Sequence, residues 1–120
     1  MRELPLVSLI TVNYNGLDYT TELLNSIRSF SYAPLEIFVV DNASVVNPEK
    51  ILNQNYPEVK VIRSEKNLGF AGGNNLALPF AKGKYLFFIN NDAEFTSNCL
   101  QTLVEFMENH LDAGVVSPLL

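Results

Sequence analysis

The chain has 120 residues, 48% of them hydrophobic and 18% charged, which is enough apolar material for one core and one domain. A formal charge of -5, with eight scattered basic residues, excludes a protein that lives on nucleic acid, because nonspecific binding to a polyanion needs clustered Lys and Arg. The lone Cys99 excludes a disulfide framework or a cysteine metal cage, and Glu3 and Pro5 do not suit a signal peptide, so a soluble, cytoplasmic chain without a membrane span is expected.

Leu6–Val12 is apolar and β-branched and stops at the turn formers Asn13-Tyr14-Asn15-Gly16, which predicts a first strand and its loop. From Asp18 or Thr20 the period becomes helical, with Leu23, Leu24, Ile27 and Phe30 on one face, Glu22 in the first turn and Ala33-Pro34 as the stop. Leu35–Val40 is a second strand, delivering Asp41-Asn42-Ala43-Ser44 at its carboxyl end. A short helix over Pro48–Asn53 follows, with Asn47 as cap and Pro48 at the first helical position, where its missing N–H is no loss. Val59–Arg63 is a third strand, at the sheet edge.

The segment Asn67–Asn75 carries Gly69, Gly72 and Gly73 and merges into a helix ending near Lys82-Gly83, kinked or shortened at Pro79. Glycines in the opening turns cost about 1 kcal/mol each against Ala, so something must require them. Tyr85–Ile89 is an unbroken apolar run that reads as a fourth strand buried on both faces, and it delivers Asn90-Asn91-Asp92-Ala93-Glu94. A helix over Ser97–His110 places Leu100, Leu103, Val104, Met107 and Leu111 on one face, and Gly114–Ser117 begins another strand.

Strict alternation of strand and helix predicts a Rossmann-like α/β fold, mostly parallel, with strand order 3-2-1-4 and helices on both faces. The polar clusters after strands one, two and four then meet on one rim, with the glycine segment beside them. Each cluster alone is ordinary turn chemistry; four together at strand ends point to a site. Asp41 suits a ribose or a base N–H, the glycines admit close backbone approach, and the helix behind them offers N–H groups to anionic oxygens. Asp92 suits Mg²⁺ or Mn²⁺, sharing a face with Asn90 and Glu94 if the chain stays extended. A nucleoside diphosphate with a metal satisfies all of these. The glycines do not follow the first strand, so the Gly-x-Gly-x-x-Gly dinucleotide pattern is excluded, as is a Gly-Lys-Ser/Thr phosphate loop.

Val7 to Asn15, Val39-Val40-Asp41-Asn42-Ala43-Ser44, Asn67 to Asn75 and Phe88-Ile89-Asn90-Asn91-Asp92 together resemble the amino-terminal half of a family 2 glycosyltransferase of the GT-A fold, close to its bacterial rhamnosyltransferase-like members. The resemblance implies an inverting enzyme that moves a sugar from a UDP- or dTDP-sugar to a saccharide or lipid-linked acceptor in polysaccharide biosynthesis, with a divalent metal on the diphosphate, and a full-length protein at the cytoplasmic membrane face. It implies that Val12, Asn13 and Tyr14 line the base pocket, that Asp41 contacts base or ribose, and that Gly69 and Asn74 lie along the nucleotide. Asp92 is then the metal carboxylate, with Glu94 and Asn90 as further candidates.

Two departures from the family pattern stand out. Its metal motif is usually Asp-x-Asp, and here the first position is Asn90. Family domains are also longer, so residues 1–120 correspond to the nucleotide-sugar-binding half, truncated at its C-terminal side, with the acceptor half and the catalytic base expected beyond Leu120. A nucleotidyltransferase is the alternative enzyme, but it calls for a basic, glycine-rich loop after strand one, which Asn15-Gly16-Leu17-Asp18 is not. A noncatalytic nucleotide-binding or interaction module is the other alternative. On this reading Asp41 sits on a solvent-facing rim and supports little core, and exposed apolar surface on the flank of strand four drives self-association.

Overall fold

A computed structural model describes residues 4–30 and 32–118. β1 (Val7–Asn13) lies at the centre of the sheet because it is apolar on both sides of its pleat, with Val7 and Leu9 under one layer of helices and Ile10 under the other. It pairs in parallel with β2 (Leu35–Asn42), from Val7↔Leu35 to Asn13↔Asp41, and on its other side with β4 (Tyr85–Phe88), starting at Val7↔Tyr85. β3 (Val59–Ser64) extends the sheet beyond β2, giving the expected order β3-β2-β1-β4.

One face of the sheet packs Leu9, Ile37 and Val39 against Leu23, Leu24 and Ile27 of α1 (Leu17–Ser29), Leu52 of α2 (Glu49–Asn55), and Leu100 and Val104 of α4 (Cys99–Asn109). The other packs Ile10, Phe38 and Val40 against Ala77 of α3 (Gly69–Ala77). Each fully buried aliphatic side chain contributes about 1.5–3 kcal/mol, so the first face carries most of the stability.

Several elements differ from expectation at their ends. β2 runs on through Asp41 and Asn42, because pairing to Asn13 on one side and to Arg63 and Ser64 on the other continues through those polar residues. α1 begins at Leu17, which puts Asp18 in its first turn and Glu22 beyond it. α2 runs over Glu49–Asn55, one residue later than expected at its start and two later at its end. Pro48 therefore takes the cap position in place of Asn47, whose carboxamide oxygen instead accepts the N–H of the first helical residue, Glu49, at 3.0 Å. α3 stops at Ala77, and Pro79 sits in a 3₁₀ turn over Leu78–Phe80 that shortens the helix as its ring geometry demands.

Three expectations about burial and extent fail. β4 is not buried on both faces: it is the sheet edge among the described residues, so Leu86 and Phe88 are 45% and 46% exposed while Tyr85 and Phe87 pack on the core. Leu111 lies beyond the end of α4 and is exposed rather than part of its buried face. Gly114–Ser117 forms no strand; apolar character becomes a strand only through pairing, none of the four strands pairs with it, and Val115 is 91% exposed.

Candidate functional site

The carboxyl ends of the strands are joined by one continuous polar chain that follows the strand order. Arg63 of β3 donates through Nη1 to Asp41 Oδ2 at 2.7 Å and through Nη2 to the Ser44 carbonyl at 3.0 Å. Asp41 of β2 also accepts from Asn13 Nδ2 at 2.9 Å, from Ser44 Oγ at 2.6 Å and from the Ser44 N–H at 3.1 Å. Asn13 of β1 accepts in turn from Thr20 Oγ1 of α1 at 2.7 Å and from Asn91 Nδ2, just past β4, at 3.3 Å. Asp41 is 0% exposed, which corrects the expectation of a solvent-facing residue. Its carboxylate is satisfied from within, so contact with a base or ribose requires exchanging one of these partners for the ligand.

The loops after β1 and β2 are fastened to each other. The Asn15 N–H donates to Ser44 Oγ at 2.8 Å, and the Val45 N–H donates to Asn15 Oδ1 at 2.9 Å. Asn15 and Ala43 both adopt positive φ, 51° and 61°, and Ala43 has no polar side chain to offset the strain, a state that persists only when its surroundings over-determine it.

Above this rim, on the α3 side of the sheet, lies a cleft of about 360 Å³. Val12, Tyr14 and Asn42 form one wall, Asn67, Gly69 and Phe70 another, and Asn90, Asn91 and Asp92 the third. It opens where the strand order reverses, between β1 and β4, the place where open parallel sheets bind ligands. Of the residues singled out from sequence, Val12, Tyr14, Gly69, Asn90 and Asp92 therefore come together around it. Asn13, Asp41 and Asn74 are buried and do not line it, and neither does the exposed Glu94.

The turn after β4 explains the loss of Glu94. The Ala93 N–H returns to the Asn90 carbonyl at 3.1 Å, so the extended alternation that would have set Asn90, Asp92 and Glu94 on one face is broken. No group of three or more His, Cys, Asp or Glu gathers among the described residues. Asp92 is exposed at the cleft wall, and its carboxylate has no hydrogen-bonding partner among the described residues. One free carboxylate beside amide oxygens fits a hard divalent cation that keeps most of its ligands as water and phosphate oxygen; it does not fit a cage complete without ligand.

The glycine segment has its physical reason. A Cβ on Gly73 would stand 3.0 Å from both Asn42 Nδ2 and Val12 Cγ1, so a side chain there would push on both neighbours, and its absence lets α3 sit close to the ends of β1 and β2. Asn42 in turn ties down the start of α3, donating to the Gly69 carbonyl at 2.9 Å and accepting the Leu68 N–H at 3.3 Å, while Asn67 Oδ1 takes the Gly69 N–H at 2.9 Å. Two N–H groups expected to face a ligand are thus already used by side chains.

Sequence reasoning places Asn42, Ser44 and Asn91 in the strand-end clusters and Asn67 and Phe70 in the glycine segment without giving any of them a role of its own, and it leaves Arg63 and Thr20 out of the site. Strand parity was the available signal. Asn13 and Asp41 are directly paired and lie on the α1 face, so their neighbours Val12 and Asn42 must lie on the α3 face, where the cleft is.

A parallel sheet of this order, with a ligand-sized cleft at its switch point, defines the Rossmann-like class of α/β proteins. The model of the family "Glycosyl transferase family 2" matches residues 8–119, and the chain belongs to that family. It is 35% identical over 107 residues to the putative teichuronic acid biosynthesis glycosyltransferase TuaG of Bacillus subtilis, covering 86% of this chain and 42% of that one. Staphylococcus aureus TarS 1-349, solved in complex with UDP, superposes with a TM-score of 0.76 at 27% identity, over 94% of this chain and 38% of that one. The mannosyltransferase PcManGT from Pyrobaculum calidifontis, solved with GDP-Man and Mn²⁺, also gives 0.76, at 25% identity, over 94% and 34% of the two chains. The fold is GT-A, and the chain spans about two fifths of the length of the curated relatives it matches. No helix among the described residues is long and apolar enough to cross a membrane.

Proposed function

We propose that this chain is the donor-binding half of an inverting glycosyltransferase that takes a UDP- or dTDP-sugar and serves a saccharide or lipid-linked acceptor. The observation that carries the reading is the composition of the cleft: exposed aromatic faces at Tyr14 and Phe70 for a base, and an unpartnered carboxylate at Asp92 for a diphosphate-bound cation. The UDP complex of TarS and the GDP-Man and Mn²⁺ complex of PcManGT support it by likeness.

In this proposal Val12, Tyr14, Gly69, Asn42 and Phe70 contact the nucleotide, and Asp92 with Asn90 holds Mg²⁺ or Mn²⁺. Asn13 and Asp41 shape the rim from behind, and Asn74 is on the buried side of α3. The cation, when bound, stabilises the departing diphosphate. Among the described residues Asp92 is the only carboxylate lining the cleft, so none of them is left there to deprotonate an acceptor, and we expect the 120-residue chain to bind donor without transferring sugar.

Titration calorimetry with UDP, dTDP, GDP and CDP, each with and without Mn²⁺, tests this. Tightening of UDP or dTDP by Mn²⁺ that disappears in Asp92→Asn is the expected result. Equal, metal-independent affinity for all four, or none for any, overturns it.

A further inference from the structure

Asp92 reaches the cleft on a turn, yet its own carboxylate is held by nothing among the described residues. The anchoring belongs to its neighbour. Asn91 Nδ2 lies 3.1 Å from Thr20 Oγ1, 3.3 Å from Asn13 Oδ1 and 3.4 Å from the Gly16 carbonyl, all at the corner where β1 passes into α1. Two amide protons shared among three acceptors leave that group fully engaged. Space for it depends on Gly16, where a Cβ would stand 2.9 Å from Asn91 Nδ2, although its φ of -130° is open to any residue. Beyond the turn, the Phe95 N–H donates to Ser26 Oγ of α1 at 2.8 Å. Asp92 is therefore slung between two anchors on the β1–α1 unit, and the nearer one is its immediate neighbour.

We propose that Asn91 is a positioning residue: its carboxamide, seated against Asn13, Gly16 and Thr20, holds the Asp92 carboxylate where a divalent cation carried on a nucleoside diphosphate meets it. This rests on the reading of Asp92 as the metal carboxylate. A cation with a single protein carboxylate gains from that ligand only what remains after the loop is ordered. With Asn91 seated, the ordering is already done in the free protein. Without it, the turn must be fixed on binding, and the metal's contribution to nucleotide affinity falls accordingly.

The test is titration calorimetry of UDP with and without Mn²⁺ in the parent, Asn91→Ala, Gly16→Ala and Asp92→Asn. In the parent, Mn²⁺ tightens UDP about tenfold or more, and Asp92→Asn abolishes that factor. In Asn91→Ala the factor drops below about threefold, and Gly16→Ala, which keeps the carboxamide but takes its seat, gives the same drop with metal-free UDP affinity within about twofold of the parent. Backbone amide exchange at residues 91–93, measured without ligand, speeds up about tenfold in both. Full coupling in both variants, with Asp92→Asn uncoupled, overturns the positioning role and leaves the metal reading standing. No coupling in the parent, or coupling that survives Asp92→Asn, overturns both.

Discussion

At the amino end of β2, Glu36 accepts hydrogen bonds from Ser8 Oγ at 2.5 Å, the Lys82 N–H at 2.6 Å and Lys60 Nζ at 3.1 Å; at the carboxyl end, Asp41 accepts from Asn13, Ser44 and Arg63. Both are strand carboxylates clamped by the paired residue of β1 and a cation of β3. Each end also borders a hollow of similar size, about 330 Å³ between Phe38, Ile62 and Phe80 and about 360 Å³ at the candidate site. Neither a clamped acid nor a volume therefore marks the site. The difference lies in the chemistry of the walls: the amino-end hollow is mainly apolar, with Lys60 paired to Glu36 and a second lysine, Lys82, at its wall, whereas the carboxyl-end cleft presents amides and the Asp92 carboxylate, which has no partner among the described residues.

The comparison breaks first at Asp41. Asp41→Ala leaves the Arg63 guanidinium, Asn13 and Ser44 without their acceptor, so we expect a loss of about 3–5 kcal/mol in urea unfolding. A loss under about 1 kcal/mol, with nucleotide affinity gone, would restore Asp41 as a residue free to read the ligand.

Glu36→Gln should cost less, about 1.5–3 kcal/mol, because the amide keeps one acceptor oxygen. Burial alone raises the Glu36 carboxyl pKa, but the hydrogen bonds from Ser8, the Lys82 N–H and Lys60 outweigh it and hold the group below its ordinary value of 4.5. A carboxyl lowered in the folded state contributes stability that is complete above that ordinary value and is lost as pH falls through the folded one. Stability of the parent should thus fall faster than that of Glu36→Gln as pH drops below 4.5, and parallel curves would dismiss the clamp.

Phe70 and Phe80 offer a matched pair, 56% and 57% exposed, one in each hollow. Phe70→Ala should weaken UDP about tenfold through lost stacking, while Phe80→Ala leaves it unchanged. Equal effects would remove the distinction between the hollows.

The smallest effect concerns the β4 flank. Leu86 and Phe88 side by side on an edge strand should give weak, concentration-dependent self-association in sedimentation, abolished in a Leu86→Ser, Phe88→Ser variant. Monomer at every concentration would show that the flank tolerates water.

The sequence by itself determined the order and type of the elements from β1 to α4, though not of Gly114–Ser117, because apolar period and turn chemistry are local properties carried by runs such as Leu6–Val12, Leu35–Val40 and Leu100–Val104. It also placed Tyr14, Gly69, Asn90 and Asp92 at the strand ends where the cleft lies. Tertiary structure alone decided which polar residues build the rim and which face the ligand. Asn13 and Asp41 differ from Val12 and Asn42 by one position, and that position sends a side chain to the opposite face of the sheet. Which face bears the cleft depends on α3 packing against β1 and β2, through a contact between Gly73 and residues far from it in the chain. The burial of β4 was misread for the same reason: its apolar run describes the side chains, but their exposure depends on which strands stand beside it, and at the described edge of the sheet none stands on the far side.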